Sequence, residues 1–442
     1  MKITPLVFIL VLSCFIFPVI SIFVNILINF AVLINRKNIE VSSILAGLIG
    51  SCLILVFQTY NILYFHDFIG IKLIGLIILI SNVNMIYCLY KMNLDILLIA
   101  FILCVLFAFY RSIDYPIKTV SFIGNVIIPY TLLYIQLISK PRSVIDHVKV
   151  GKMIILIVDL VVFSMIIYTI ADLVSSFEMY RFSSINLAAT RGEEIAYLTN
   201  GIPVNFQTSI LGMEFMRYMG FIADPLRSAY FGIFLILFGL QGKTGVLRSL
   251  VYMIVGLVFV VTVLSKGAIL TLFCVITFWF LLNYKLYAAF IASTILLFSC
   301  TLFLAADTST SGWIHLSGLI GPFTFLSGPE FLYGDKLYLA GNMGRILGEP
   351  WTESVLRGAE SLIGTYMYSF GIIGVSISIM MHIKMIIVNI LDQNNAIASF
   401  VTSSLIIIFL QEGHYNSSQA FLFSISLIFL KFNSAKSPKC AV

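Results

Sequence analysis

The sequence predicts an all-α, polytopic integral membrane protein, and three observations predict it. Of 442 residues, 60% are hydrophobic and only 10% are charged, against roughly 25% charged in a soluble domain. The mean hydropathy is +1.06. Apolar runs near the ~20 residues that cross a hydrocarbon core recur from end to end. Helices satisfy their own backbone hydrogen bonds, as lipid demands. The ~10-residue alternating segments of an outer-membrane barrel are not found.

Read in order, the apolar runs give spans at 6–34, 41–62, 68–90, 94–110, 118–139, 153–174, 227–240, 249–264, 267–283, 286–304, 361–382, 396–411 and 418–431. That is thirteen transmembrane helices within a range of about 12–14, forming a single membrane domain over 1–442. The first run lacks a short core followed by a small-residue cleavage site, so it reads as a retained helix rather than a signal peptide. Six of the seven cysteines lie inside apolar runs and no CxxC occurs, so they read as ordinary helix residues.

Charge sets the expected orientation. Lys140, Arg142, Lys149 and Lys152 crowd one short loop, which the positive-inside rule assigns to the cytoplasm. Counting outward, Lys91, Lys243, Arg248, Lys285, Lys384 and Lys431 fall on the same side. The net charge of +6 therefore reads as topology, and no nucleic-acid signal accompanies it. The odd span count puts the N-terminus outside, against the hint of Lys2.

Two loops, 175–226 and 305–360, fall on the opposite side and are too long to be structureless. Within the second, "SGLIGPFTFLSG", Ser317 to Gly328, suits a short hairpin dipping into the interface. Within the first, Asp224–Pro225 is a helix start signal, with Asp as N-cap and Pro at the first helical position. It places Arg227 in the first turn of a membrane helix. Arg217 lies ten residues earlier, on an expected short helix, preceded by Arg181 and Arg191. "LSKGAIL" puts Lys266 in a tight turn. The second loop adds Arg345, Arg357 and Glu360, the last two one helical turn apart and therefore able to orient each other.

Clustered cations at the outer mouth of a bundle suit a lipid-linked diphosphate, whose charge stays at the headgroup while its prenyl tail stays in lipid. Arginine grips phosphate oxygens in a bidentate fork, and cations stabilise a departing diphosphate. A nearby carboxylate accepts the proton of an attacking hydroxyl. Against this stands the plainer role of such residues, which snorkel, cap helices or pair structurally near helix ends. Asp159, inside a span, is either functional or paired with a neighbouring helix. His315 and His414 have no second ligand at metal spacing. No DxD, Walker loop or GxGxxG occurs.

Three stretches resemble the O-antigen polymerase (Wzy type) branch of the O-antigen polymerase and ligase superfamily. "RYMGFIADPLRSAYF" is similar to the family's Arg, Gly and Asp-Pro run opening a membrane helix. "VLSKGAIL" resembles its Ser-Arg-Gly turn, with Lys266 in place of Arg. "LYGDKLY" with "GAESLIGTYMYSFGIIG" resembles the close of its last large periplasmic loop. The resemblance implies a GT-C-like inner-membrane protein with two large periplasmic loops. It implies a metal-independent glycosyltransferase without cofactors. Such an enzyme transfers a growing glycan from undecaprenyl diphosphate to the non-reducing end of a new undecaprenyl-diphosphate-linked repeat unit. The implied partners are that lipid-linked oligosaccharide, membrane lipid and a chain-length regulator. By position, Arg217 and Lys266 would bind diphosphate and Glu360 would lie near the acceptor hydroxyl; Arg227, Arg345 and Arg357 join them from placement alone. The ligase branch carries His where this chain has Glu360. An O-antigen ligase shares the layout and remains an alternative. So does a flippase, although a flippase calls for charges inside its helices and short loops.

Overall fold

The computed structural model describes residues 26–27, 29, 68–91, 95–142, 147–178, 181, 198–199, 202–203, 207–210, 213–218, 225–241, 244–306, 312–342, 350–412 and 417–434. Apart from three isolated positions, the expected spans 6–34 and 41–62 lie outside the described residues. From residue 68 onward a helix stands at every predicted span. In chain order these are α1 Phe68–Leu89, α2 Ile96–Arg111, α3 Pro116–Ile138, α4 His147–Val174, α5 Pro225–Leu240, α6 Val246–Val263, α7 Lys266–Asn283 and α8 Tyr287–Ala305. Then come α9 Gly312–Phe325, α10 Pro329–Tyr333, α11 Trp351–Leu356, α12 Leu362–Leu391, α13 Asn395–Ile407 and α14 Ser417–Ser434.

Among the described residues six helices are long and apolar enough to cross a membrane: α3, most of α4, α6, α7, α8 and α12. The chain is a multi-pass, membrane-embedded helical protein. The second long loop is itself folded. Its "SGLIGPFTFLSG" stretch is the end of α9 and a turn into α10, a helical hairpin carrying exposed Trp313, Ile320, Phe323 and Phe325.

By contacts the chain divides into two compact units. The first contains Met1–Tyr90, Pro141–Leu272 and Phe421–Val442; the second contains Lys91–Lys140 and Phe273–Ala420.

In the first unit α5 and α6 cross at Gly232 and Gly256, where a Cβ on either glycine would run into the other's carbonyl oxygen. Glycine at both positions lets the backbones touch. Tyr230 and Phe234 of α5 pack edge-on against Phe423 of α14. Asp159 of α4 pairs with Arg248 of α6 at 3.2 Å and accepts from the Tyr252 hydroxyl. Of the two readings its sequence position left open, pairing with a neighbouring helix is the one observed. A carboxylate in a membrane helix needs such partners, because an unpaired charge there costs several kcal/mol.

In the second unit α12 is the mast, with α2, α3, α9, α10 and α13 packed along it. Its ends are polar in different ways. Near its C-terminus Lys384 pairs with Asp95 at 2.6 Å, and Asp95 also caps α2 through Leu98 N at 2.8 Å. At the far end of α2, Arg111 meets Asp335 at 3.4 Å and Lys336 meets Asp114 at 3.1 Å. The segment around Asp335 thus lies toward the end of α12 opposite Lys384. Between the ends α12 is broken at Gly371, whose φ of 64° and ψ of −168° are not helical. The stretch Leu332–Asp335 fills the break, and Asp335 N donates to Tyr368 O at 2.6 Å.

Candidate functional site

The N-terminus of α12 gathers four chain segments, and small contacts explain why. A Cβ on Gly364 of α12 would fall on the carbonyl of Gly318 in α9, and a Cβ on Gly318 would fall on the carbonyl of Ala359. Those contacts bring His315, one turn before Gly318, beside Glu360, one turn before Gly364. Leu362 N and Ile363 N both donate to Ile408 O, at 3.0 and 3.2 Å. They draw the turn after α13, with Glu412, onto the same helix end. Gly341, at φ 57°, leaves no space for a Cβ against the Glu412 carboxyl, and its N–H donates to Arg357 O at 2.9 Å. Ser361 caps α12 by accepting from Gly364 N at 3.0 Å.

Four polar side chains result. His315 Nδ1 lies 3.1 Å from Glu360 O and 3.5 Å from Glu360 Oε2. Asn342 Nδ2 bridges the two acids, donating to Glu360 Oε1 at 3.4 Å and to Glu412 Oε2. The Glu412 carboxyl also accepts from Asn342 N at 2.9 Å and from Glu360 N at 3.2 Å. Glu360 itself sits at φ 70°, a left-handed conformation that a residue with a Cβ rarely adopts. His315 and Glu360 are each about one-third exposed.

Glu412 is only partly covered as a residue, but its carboxyl is enclosed. Burial, with Glu360's charge adding to it and the donated hydrogen bonds opposing it, pushes its pKa up to about 8. Thr365 Oγ1 lies beside the carboxyl and donates to Gly358 O at 3.0 Å. A carboxyl with a raised folded pKa contributes stability at low pH and loses it as pH rises through the folded value. Wild-type protein is therefore expected to lose on the order of 3–5 kcal/mol of stability between pH 5 and 9 from this group alone. Melting curves of Glu412→Gln, which has no proton to lose, should be markedly flatter over that range. A variant with the wild-type pH dependence would show that Glu412 does not carry it.

The expected helical turn joining Arg357 to Glu360 is not what forms. Helix α11 stops at Leu356, and Gly358 at φ 93° and Glu360 at φ 70° reverse the chain. Arg357 pairs instead with Glu353, one turn earlier, at 2.9 Å, while Glu360 is held by His315 and Asn342. Arg345 and His414 lie outside the described residues, as does Arg191.

The remaining predicted cations lie in the first unit. Arg217 does not sit on a short helix. It follows an antiparallel pair of strands, β1 Gln207–Ile210 with β2 Met213–Met216. Helix α5 begins at Pro225 as expected, with Arg227 in its first turn. Helix α6 ends on left-handed Leu264, and Ser265 Oγ accepts from Ala268 N at 3.4 Å to start α7 at Lys266, which is exposed. Tyr218 N donates to Thr262 O at 3.2 Å, and Ala229, Val263 and Ala268 form one buried cluster. Those contacts bring Arg217, Arg227 and Lys266 to one end of the α5–α6–α7 bundle. Arg181 is paired with Glu178 at 3.2 Å on the surface, where such pairs add little.

Sequence reasoning missed Glu412 and Asn342 and gave His315 no role beyond a weak metal candidate. No local period marks them; the available signal was the glycines near them, Gly318, Gly341, Gly358 and Gly364. Among the described residues no group of three His, Cys, Asp or Glu side chains is arranged to hold a metal ion. Comparison of the chain with protein-family models, curated proteins and solved structures finds no match.

Proposed function

We propose that the protein is a lipid-linked oligosaccharide polymerase of the bacterial inner membrane, acting on its periplasmic face. The observation that carries this reading is the imidazole–carboxylate pair His315–Glu360 at the polar mouth of a membrane helix, partly open to solvent and braced from behind by Asn342 and Glu412. Such a pair can take the proton of an attacking sugar hydroxyl. By the sequence resemblance, Arg217 and Lys266 bind the diphosphate of undecaprenyl-diphosphate-linked glycan and, with Arg227, stabilise its charge as it leaves. Arg345 and Arg357 have a lesser part in this reading, and Arg357 is already engaged by Glu353. Each charge-assisted bond to phosphate contributes ~1.5–3 kcal/mol.

Deleting the gene and running surface polysaccharide on a gel tests this directly. Single-repeat capping supports a polymerase, and loss of all glycan from core lipid supports a ligase. A flippase is the second reading, favoured by the interrupted α12 at Gly371, since broken membrane helices often line transport sites. It predicts cytoplasmic accumulation of lipid-linked units. In the complemented strain, Arg217→Ala is expected to abolish chain extension with expression intact. Lys266→Arg should keep activity and Lys266→Ala lose it; equal activity in both would make that charge incidental.

A further inference from the structure

We infer that His315 Nε2 is the general base of the site and that Glu360 positions it. The inference rests on the transfer reading above and goes beyond it by naming the atom that takes the proton. His315 Nδ1 lies 3.1 Å from the backbone oxygen of Glu360. A carbonyl oxygen only accepts, so a nitrogen at that distance carries the hydrogen. The Glu360 carboxylate, 3.5 Å from the same nitrogen, favours the same tautomer. In the neutral ring the lone pair is then on Nε2. The side chain is about one-third exposed to solvent.

Glu360 suits the supporting role. Its backbone N–H is held by Glu412 at 3.2 Å, its carboxylate by Asn342 at 3.4 Å, and its own carbonyl oxygen holds the ring. Every hydrogen bond it makes fixes the direction in which it faces His315. Among the described residues, the acids at the ring are Glu360 and, behind it, Glu412, whose burial pushes its pKa up to about 8; Arg357 pairs with Glu353. The Glu360 carboxylate faces the imidazole and favours the positive charge it gains.

The acceptor hydroxyl oxygen forms a bond to the anomeric carbon of the lipid-linked glycan. The bond from that carbon to the diphosphate oxygen breaks, and its electron pair leaves with undecaprenyl diphosphate. The hydroxyl proton passes to His315 Nε2, Glu360 stabilises the imidazolium, and the proton then leaves to water at the exposed ring edge.

Full-length protein in nanodiscs, labelled with 15N-histidine, gives the first readout, with the His315 signal identified by its loss in His315→Ala. The neutral ring is expected as the Nδ1–H tautomer; a dominant Nε2–H ring overturns the inference. The second readout is chain extension on lipid-linked repeat units. His315→Gly is expected to lose at least a hundredfold in rate, within the usual span for a lost general base, and to recover on addition of imidazole. Glu360→Gln is expected to retain a residual rate that imidazole leaves unchanged. Full activity in His315→Gly, or a loss that imidazole does not recover, assigns the ring a structural role and overturns the inference. If wild-type protein extends no glycan, the transferase reading fails and the base assignment falls with it, whereas an active wild type with a dominant Nε2–H ring, or with an active His315→Gly variant, overturns the assignment alone.

Discussion

Glu360→Gly is expected to melt near wild type, above Glu360→Ala, and to be inactive. The two effects come from different parts of one residue. At φ 70° the Glu360 backbone is in a region that costs a residue with a Cβ on the order of 1 kcal/mol, and glycine relieves it. What is lost in stability is modest: the contacts to Asn342 at 3.4 Å and His315 at 3.5 Å are long and partly exposed, and such contacts contribute ~1 kcal/mol or less. Glycine's freedom in the unfolded chain offsets part of the gain. Glu360→Ala is the control, since it deletes the carboxylate and keeps the strain. Thermal melts should order the glycine variant above the alanine variant, and long-chain glycan should be missing from strains carrying either. Wild-type glycan with the glycine variant would remove Glu360 from the chemistry. An alanine variant as stable as the glycine one would show that the turn is unstrained.

The largest structural effect is expected at Gly371. Its φ of 64° and ψ of −168° lie in a region open essentially to glycine alone. A Cβ there would also meet the backbone at Leu332 and Tyr333, and Gly334 is pressed as closely against Ser369 and Phe370. Two glycines thus let one stretch of chain seat into a gap in a membrane helix. Asp335 is held there by its N–H to Tyr368 O at 2.6 Å and by the Tyr368 hydroxyl at 2.9 Å. Neither backbone can retreat without breaking those bonds. Gly371→Ala should lose on the order of 3–5 kcal/mol, strain and collision together, and yield little monodisperse protein on extraction in mild detergent. Gly124→Ala, at a position with open space around it, should extract like wild type. A well-behaved Gly371→Ala protein would mean that α12 closes its break and expels the inserted segment.

The helices were readable because a membrane span is a local property. Twenty apolar residues announce themselves, and Pro225 and the Lys266 turn carry their own boundary chemistry. The α12 span was read nine residues short at its C-terminus because His382 and Lys384 look like an end. His382 is instead buried, its ring stacked on Tyr130, and Lys384 is neutralised by Asp95. Partners from distant helices let polar residues continue a span that composition closes. Arg217 was placed on a helix because nothing in "MEFMRYMG" favours a strand until it is paired with Gln207–Ile210.

The candidate site was legible in part. Glu360 stood out as a rare charge at the mouth of an apolar run. Its partners did not, because pairing depends on the contact of Gly318 with Gly364 and on the Ile408 carbonyl accepting from the start of α12. Those are tertiary facts with no spacing to betray them. The same contacts redirected Arg357, which sequence spacing had joined to Glu360 and which the turn at Gly358 turns toward Glu353.

The most direct measurement uses the purified full-length protein in nanodiscs, with undecaprenyl-diphosphate-linked repeat units as the sole substrate. Products and released lipid are then followed together by mass spectrometry. A polymerase yields a ladder of glycans one repeat apart, with one undecaprenyl diphosphate freed per added repeat, and Glu360→Gly yields neither. Intact lipid-linked units with no freed carrier, from wild-type protein shown to be folded by its melting curve, would contradict the transferase reading.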